Sequence, residues 1–182
     1  SRKSEIKYNY LVQLLSAQIL KKSHDIDVKV LVAPTLNLQE LQNLAGPLAE
    51  GVEFVKDTPT SMIHQCDLIL TASGTATLQV ALCKRPMVVM YRMNPITAFL
   101  ARFLVRDVEA FCIVNLISEE VFIPEFFQNE ASPKKLALAL EKILTDDKYR
   151  QKMLDQLDSL QSRLGDGEAT KNVVEYLKSK YY

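Results

Sequence analysis

The stretch Asp67-Leu68-Ile69-Leu70-Thr71-Ala72-Ser73-Gly74-Thr75-Ala76-Thr77-Leu78-Gln79 decides the fold. An apolar run, Asp67–Leu70, passes through a turn of small residues, Thr71–Thr75, into a helical pattern that reaches about Lys84. A second apolar run, Pro86–Tyr91, follows at once, and its Met-Val-Val-Met segment is apolar at consecutive positions. A strand apolar on both faces belongs inside a parallel sheet covered by helices, not at a wet surface.

Outward from this unit the pattern repeats. Val28–Ala33, closed by Pro34, and Val52–Val55 read as further buried strands, and Phe111–Val114 as the last one. Between them, Ile6, Tyr10, Leu11, Leu14, Leu15 and Ile19 recur at three- and four-residue spacing, which predicts a helix over Ser4–Lys21 with Ser4 as its N-cap. Leu38–Leu48 reads as a helix stopped near Gly46-Pro47, and Thr58-Pro59 starts a short one, Thr60–Gln65. Asn94-Pro95 opens a helix through Val105, whereas Ile117–Glu130, with Pro124, reads as irregular. Pro133–Thr145, Lys148–Leu164 and Glu168–Lys178 are helical stretches, with a turn at Gly165-Asp166-Gly167. The predicted class is α/β, a Rossmann-like parallel sheet with helices on both faces. Residues 1–130 form the sheet domain and residues 131–182 a helical tail, packed on that domain or on a partner. The tail's Met153, Leu154, Leu157, Leu160, Leu164, Val173, Val174, Tyr176 and Leu177 predict an apolar area in need of a covering surface.

Composition narrows the function. In 182 residues, 22 basic and 22 acidic side chains cancel, so the broad basic footprint of a nucleic-acid-binding protein is absent. Hydrophobic residues make up 48%, which is globular rather than disordered. Cys66, Cys83 and Cys112 form no Cys-x-x-Cys pair, which favours buried thiols over disulfides, and with His24 and His64 they lack the spacing of a metal site. No run reaches the roughly 18 apolar residues of a spanning helix, and no signal peptide is read. The chain opens Ser1-Arg2-Lys3-Ser4-Glu5 without Met, as expected of a domain excised from a longer protein.

Ligands of parallel α/β sheets bind at the carboxyl ends of strands. There the free N–H groups and positive end of a helix favour an anion such as phosphate. Ser73 and Thr75 add hydroxyls and Gly74 lets a ligand near the backbone, although Ser and Thr are also ordinary helix caps. This is not a P-loop, since Gly-x-x-x-x-Gly-Lys is missing. Gln79 lies one helical turn beyond Thr75, placed to meet a ligand hydroxyl. Arg2, with Glu5 in the first helical turn, Arg92 after a buried strand and Asn115 after the last strand complete the candidate rim. His64 and Asp67 read as edge and capping groups, and no carboxylate pair or Cys–His pair suggests a general base.

The run Ser73–Thr97, with Asn115-Leu-Ile-Ser-Glu-Glu120 and Pro124-Glu-Phe-Phe-Gln-Asn-Glu-Ala-Ser-Pro133, closely resembles the C-terminal half of bacterial lipid-A-disaccharide synthases. Ser1-Arg2-Lys3-Ser4-Glu5 resembles the segment that opens that half, and the likeness extends to about Ala139. It implies the C-terminal domain of a two-domain GT-B glycosyltransferase with its active site in the cleft. It further implies transfer of 2,3-diacylglucosamine from UDP to lipid X, giving the β-1,6-linked lipid A disaccharide and UDP, in a Gram-negative bacterium. No cofactor or metal is implied. The enzyme would lie peripherally on the cytoplasmic face of the inner membrane, as a homodimer able to exchange its C-terminal helices. By resemblance Arg2, Ser73, Gly74 and Thr75 contact the diphosphate and Asn115 lies in the nucleotide site. The family usually has Glu at the position of Gln79, where it grips the ribose hydroxyls; Gln keeps the hydrogen bonds and loses the charge. The general base belongs to the N-terminal half, so this half alone is expected to be inactive. Two other readings stay open: a UDP-N-acetylglucosamine 2-epimerase of the same architecture, which would need acid–base groups near the sugar, and a non-catalytic nucleotide-binding subunit.

Overall fold

The structure is a computed structural model, and it describes residues 6–94, 110–118 and 120–163. The Met-Val-Val-Met run forms β4 (Met87–Tyr91) at the centre of a three-stranded parallel sheet, flanked by β3 (Ile69–Ala72) and β5 (Glu125–Phe127). Ile69 pairs with Met87, Ala72 with Met90, and Val89 with Glu125. Met87, Val88, Val89 and Met90 are fully buried, as consecutive apolar residues require. Each such side chain contributes about 1.5–3 kcal/mol through removal from water.

A second, two-stranded parallel sheet joins β1 (Val28–Leu31) to β2 (Val52–Val55), with the ion pair Lys29–Glu53 at 3.3 Å across register partners. The single sheet expected from the sequence is thus two among the described residues. No ladder joins β1 to β3, and both strands are half-buried along their length.

Three helices start as the sequence dictates. Asn37 caps α2 (Leu38–Ala45) by accepting from Gln39 N and Glu40 N. Thr58 caps α3 (Pro59–Gln65), with Pro at its first position. Beside it, hydrogen bonds from the Ser61 hydroxyl and the Thr58 N–H hold the Asp57 carboxyl below its ordinary range. Ser132 caps α6 (Pro133–Thr145). The first helix is split: Ile6–Tyr10 is one turn of wider π-type winding, followed by α1 (Leu11–Lys21). Ser4 and its capping role lie outside the described residues, as do the helix expected through Val105 and the one over Glu168–Lys178.

Two apolar clusters fill the interior. Leu14 joins Tyr10, Val32, Leu41 and Ala45 beside the two-stranded sheet. Leu20 joins the larger cluster with β4, Leu136, Leu140 and Leu157. The one helix α1 therefore belongs to both, and α6 packs along it.

Two expectations fail. Phe111–Val114 is not a strand: α5 (Ile113–Leu116), a single short turn, begins there after Cys112. The fifth strand lies instead at Glu125–Phe127, within the segment read as irregular. Pro124 does not prevent it, because a Pro just before a strand gives up no ladder donor, and its carbonyl still accepts from Val89 N at 2.9 Å. The described part of the tail takes one of its two expected seats, the chain's own core. In α7 (Asp147–Arg163), Met153, Leu157 and Leu160 are buried in the chain's own larger cluster, and Lys84 pairs with Asp158 at 2.6 Å. These three side chains are covered by α6 and by the helix that follows β3. Leu164, Val173, Val174, Tyr176 and Leu177 lie outside the described residues.

Candidate functional site

Because β3, β4 and β5 are parallel, the turns that follow them share one end of the sheet. After β3, Ser73 donates its N–H to Met90 O at 2.8 Å and its hydroxyl to Phe111 O at 3.3 Å. The turn is thereby tied to β4 and to the segment that leads into α5. The strand extends two residues further than its apolar run, so the turn is only Ser73-Gly74, and α4 (Thr75–Leu82) follows.

No side chain caps α4. The Ser73 hydroxyl points to Phe111, and the Thr77 hydroxyl donates back to Gly74 O at 2.7 Å. Gly74, Thr75 and Ala76 are exposed, and nothing lies within 4 Å of where a side chain on Gly74 would begin. The first amides of α4, with the positive end of the helix, face outward from a strand-end turn. Gln79 is one helical turn further on, exposed. Ser73, Gly74, Thr75 and Gln79 thus lie in one turn and the start of the helix after it.

After β4 the backbone is locked. Asn9, buried in the first turn of the N-terminal helix, donates to Arg92 O at 3.0 Å and accepts from Arg92 N at 2.7 Å. Arg92 donates Nε to Gln128 O at 3.1 Å, and Gln128, at φ 51°, returns a bond from Nε2 to Met93 O at 3.3 Å. Arg92 is on the rim, with one of its donors engaged in bracing the end of β5. Arg2 and Glu5 lie outside the described residues.

Asn115 departs from its expected role. It is 3% exposed. Its Nδ2 donates to Ile123 O at 2.8 Å and to Glu125 Oε1, and its Oδ1 accepts from Phe122 N at 3.1 Å and Ile123 N at 3.0 Å. An Asn side chain has two donor hydrogens and two acceptor positions. All four are filled within the chain, so in this geometry Asn115 builds the wall of the site and offers a ligand no free group. Its partner Glu125 is not singled out by sequence reasoning. That carboxylate also accepts from Phe111 N at 2.8 Å and Cys112 N at 2.9 Å. Spacing gives no signal for it, since its partners lie across a loop and a strand pairing.

The cysteines take no part in the rim. Burial pushes the Cys112 thiol above its ordinary range, and burial does the same at Cys66. Among the described residues no group of His, Cys, Asp or Glu is arranged to hold a metal ion, and no helix is long and apolar enough to cross a membrane. A groove of about 470 Å³ beside Leu15, Ile19, Lys22, Leu48 and Glu50 lies at the opposite end of the strands, before β2 begins. There Gln18 and Lys21 hold the loop through Leu48 O, Glu50 O and Gly51 O. Gly51 sits at φ 63°, a backbone conformation that a side chain would strain. Ligands of such sheets gather at the carboxyl ends of the strands, so the rim is the better candidate.

Parallel strands under helices, with an uncapped helix start at a strand end, define a Rossmann-like α/β domain. The comparisons narrow this. The family model described as lipid-A-disaccharide synthetase matches residues 1–177, and the chain belongs to that family. It is 33% identical to the lipid-A-disaccharide synthase of Syntrophotalea carbinolica over 168 residues, which is 92% of this chain and 43% of the relative. With that of Geobacter sulfurreducens it shares 32% over 174 residues, 95% of this chain and 45% of the relative. With that of Haemophilus influenzae the figure is 32% over 192 aligned positions, 99% of this chain and 48% of the relative. The chain spans less than half the length of these curated relatives.

Proposed function

We propose that this chain supplies the UDP-binding half of a glycosyltransferase of lipid A biosynthesis. The reaction transfers 2,3-diacylglucosamine from UDP to the 6-hydroxyl of lipid X, giving the β-1,6 disaccharide and UDP. One observation carries the reading: in a chain of this family, the open amides of Thr75 and Ala76 face outward from the turn after β3. Donors fixed in advance at a departing diphosphate stabilise its growing charge, which is often the largest catalytic contribution. Ser73, Gly74 and Thr75 hold the diphosphate together with Arg2, and Gln79 meets the ribose. The acceptor's general base comes from the N-terminal half, and the whole enzyme works as a peripheral protein at the cytoplasmic face of the inner membrane, as a homodimer.

Calorimetric titration with UDP at fixed salt tests the placement. Losing a charged contact to phosphate costs about 1.5–3 kcal/mol, so Arg2→Ala should weaken UDP roughly ten- to hundredfold. Gln79→Glu should tighten UDP or leave it unchanged. If Gln79→Glu weakens UDP as much as Arg2→Ala does, Gln79 faces phosphate and the ribose is misplaced. If neither variant changes a measurable affinity, the rim is not the site. The chain alone should give no product from UDP-diacylglucosamine and lipid X; turnover by it would put the base within these residues.

A further inference from the structure

The rim rests on a part that touches no ligand. Ser73 reaches across to the carbonyl of Phe111 at 3.3 Å. The backbone N–H groups of Phe111 and Cys112 are in turn held by one carboxylate oxygen of Glu125, at 2.8 and 2.9 Å. The other oxygen takes the Asn115 amide, whose remaining positions hold Phe122 and Ile123. Glu125 is itself fixed by the pairing of β5 with Val89 in the buried strand β4. A continuous set of bonds thus runs from the rigid sheet, through one carboxylate, to the turn that opens the candidate site.

We propose that Glu125 is a positioning residue of the nucleotide rim: it holds the 111–115 segment against Ser73 and so fixes the turn whose amides receive the diphosphate. The inference rests on the UDP reading for its last step. Its chemical requirement is specific. All three groups facing Glu125 are donors, so the residue must be an acceptor at both oxygens. A Gln of the same shape brings an amide whose NH2 meets a donor on one side or the other. Asn115 cannot relieve this by turning, because its Oδ1 is engaged by Phe122 N and Ile123 N. The substitution Asn115→Asp fails for the converse reason, since it sets a carboxylate against a carboxylate. The pair Asn115→Asp with Glu125→Gln restores a donor facing an acceptor: the introduced amide donates to the introduced carboxylate, and its oxygen keeps Phe111 N and Cys112 N. The bond to Ile123 O is then lost and a carboxylate oxygen faces that carbonyl, so the rescue is partial.

Two readouts test this on the full chain: the Kd of UDP, and the rate at which Cys112, 0% exposed, reacts with a thiol reagent in native buffer. The two other cysteines are replaced by Ala so that one thiol is read. Melting curves confirm that each variant is folded at the assay temperature. Glu125→Gln should speed Cys112 labelling at least about tenfold and weaken UDP by a similar factor, as expected when charge-assisted bonds to backbone are lost. Asn115→Asp should act alike, and the double variant should recover part of both effects. A purely structural role would lower Tm while leaving the affinity of the folded protein unchanged, and that result overturns the proposal. So does unchanged Cys112 labelling in folded Glu125→Gln, or a double variant no better than the singles. If the unmutated chain does not bind UDP while labelling responds as expected, the brace stands and the UDP reading falls.

Discussion

Two helices begin at the same end of the three-stranded sheet, and the chain treats the backbone that leads into them in opposite ways. In the segment that leads into α5 it brings its own acceptor: Glu125 occupies the N–H groups of Phe111 and Cys112, and Asn115 closes the loop behind them, although α5 itself has no side-chain cap. At α4 it brings none, and the nearby Ser73 hydroxyl is turned to Phe111 instead of capping the helix. The exposed first amides of α4 are left to water or to a bound acceptor, while those of Phe111 and Cys112 are satisfied within the chain. The contrast separates structure from site more sharply than residue type does, since Asn115 and Thr75 are equally plausible ligand-binding residues on paper.

The contrast can be broken from its structural side first. Asn115→Ala strands two buried N–H groups and a carbonyl, so it should cost about 2–4 kcal/mol and lower Tm by roughly 5–15 °C. A melting curve close to the parent's would mean that the amide is not the keystone its four bonds suggest. From the open side the pattern should invert. Thr75→Ala at the exposed start of α4 should leave stability within about 0.5 kcal/mol, while UDP affinity falls about two- to tenfold, the worth of one neutral hydrogen bond. Chemical denaturation and titration of the same sample check both halves; a stability loss larger than the affinity loss would erase the distinction.

The smallest effect concerns pH. Burial raises the Cys112 thiol above its ordinary 9.0, and burial likewise raises Tyr10 above 10.0. For groups raised in the folded state, their stabilising contribution is complete below the unfolded pKa and is lost as pH rises through the folded one. The urea midpoint should therefore fall as pH rises above about 9, and Cys112→Ala should make that fall shallower. A midpoint that stays flat as pH rises through this range would show that neither group is effectively buried in solution.

How much of this is legible in the sequence depends on the range of the interactions. Val52–Val55 and Pro133–Thr145 can be read to the residue, because a short apolar run between turn residues and a Ser-Pro start are local signals. The α4 turn is legible for the same reason: small residues between an apolar run and a helical pattern have few other uses. Phe111–Val114 misleads because a four-residue apolar run fits a strand or a buried turn equally well. What decides between them is Glu125, more than ten residues away, and its bonds to Phe111 N and Cys112 N. Asn115 is read from the sequence as a ligand contact on the rim, but which of its groups are free depends on how Phe122 and Ile123 come back to it.

Helix α1 lends Leu14 to one apolar cluster and Leu20 to the other, and it is covered by α6 from the far end of the chain. His24, just beyond α1, is fastened to Glu141 of α6 at 2.9 Å. During synthesis, then, the earliest described helix has no complete seat until nearly the last described segment has emerged. The two sheets, though unjoined by any ladder among the described residues, are coupled into one cooperative unit through this splint: amides in β1 and β4 should exchange with solvent by the same global opening, and a chain stopped before residue 133 should hold neither.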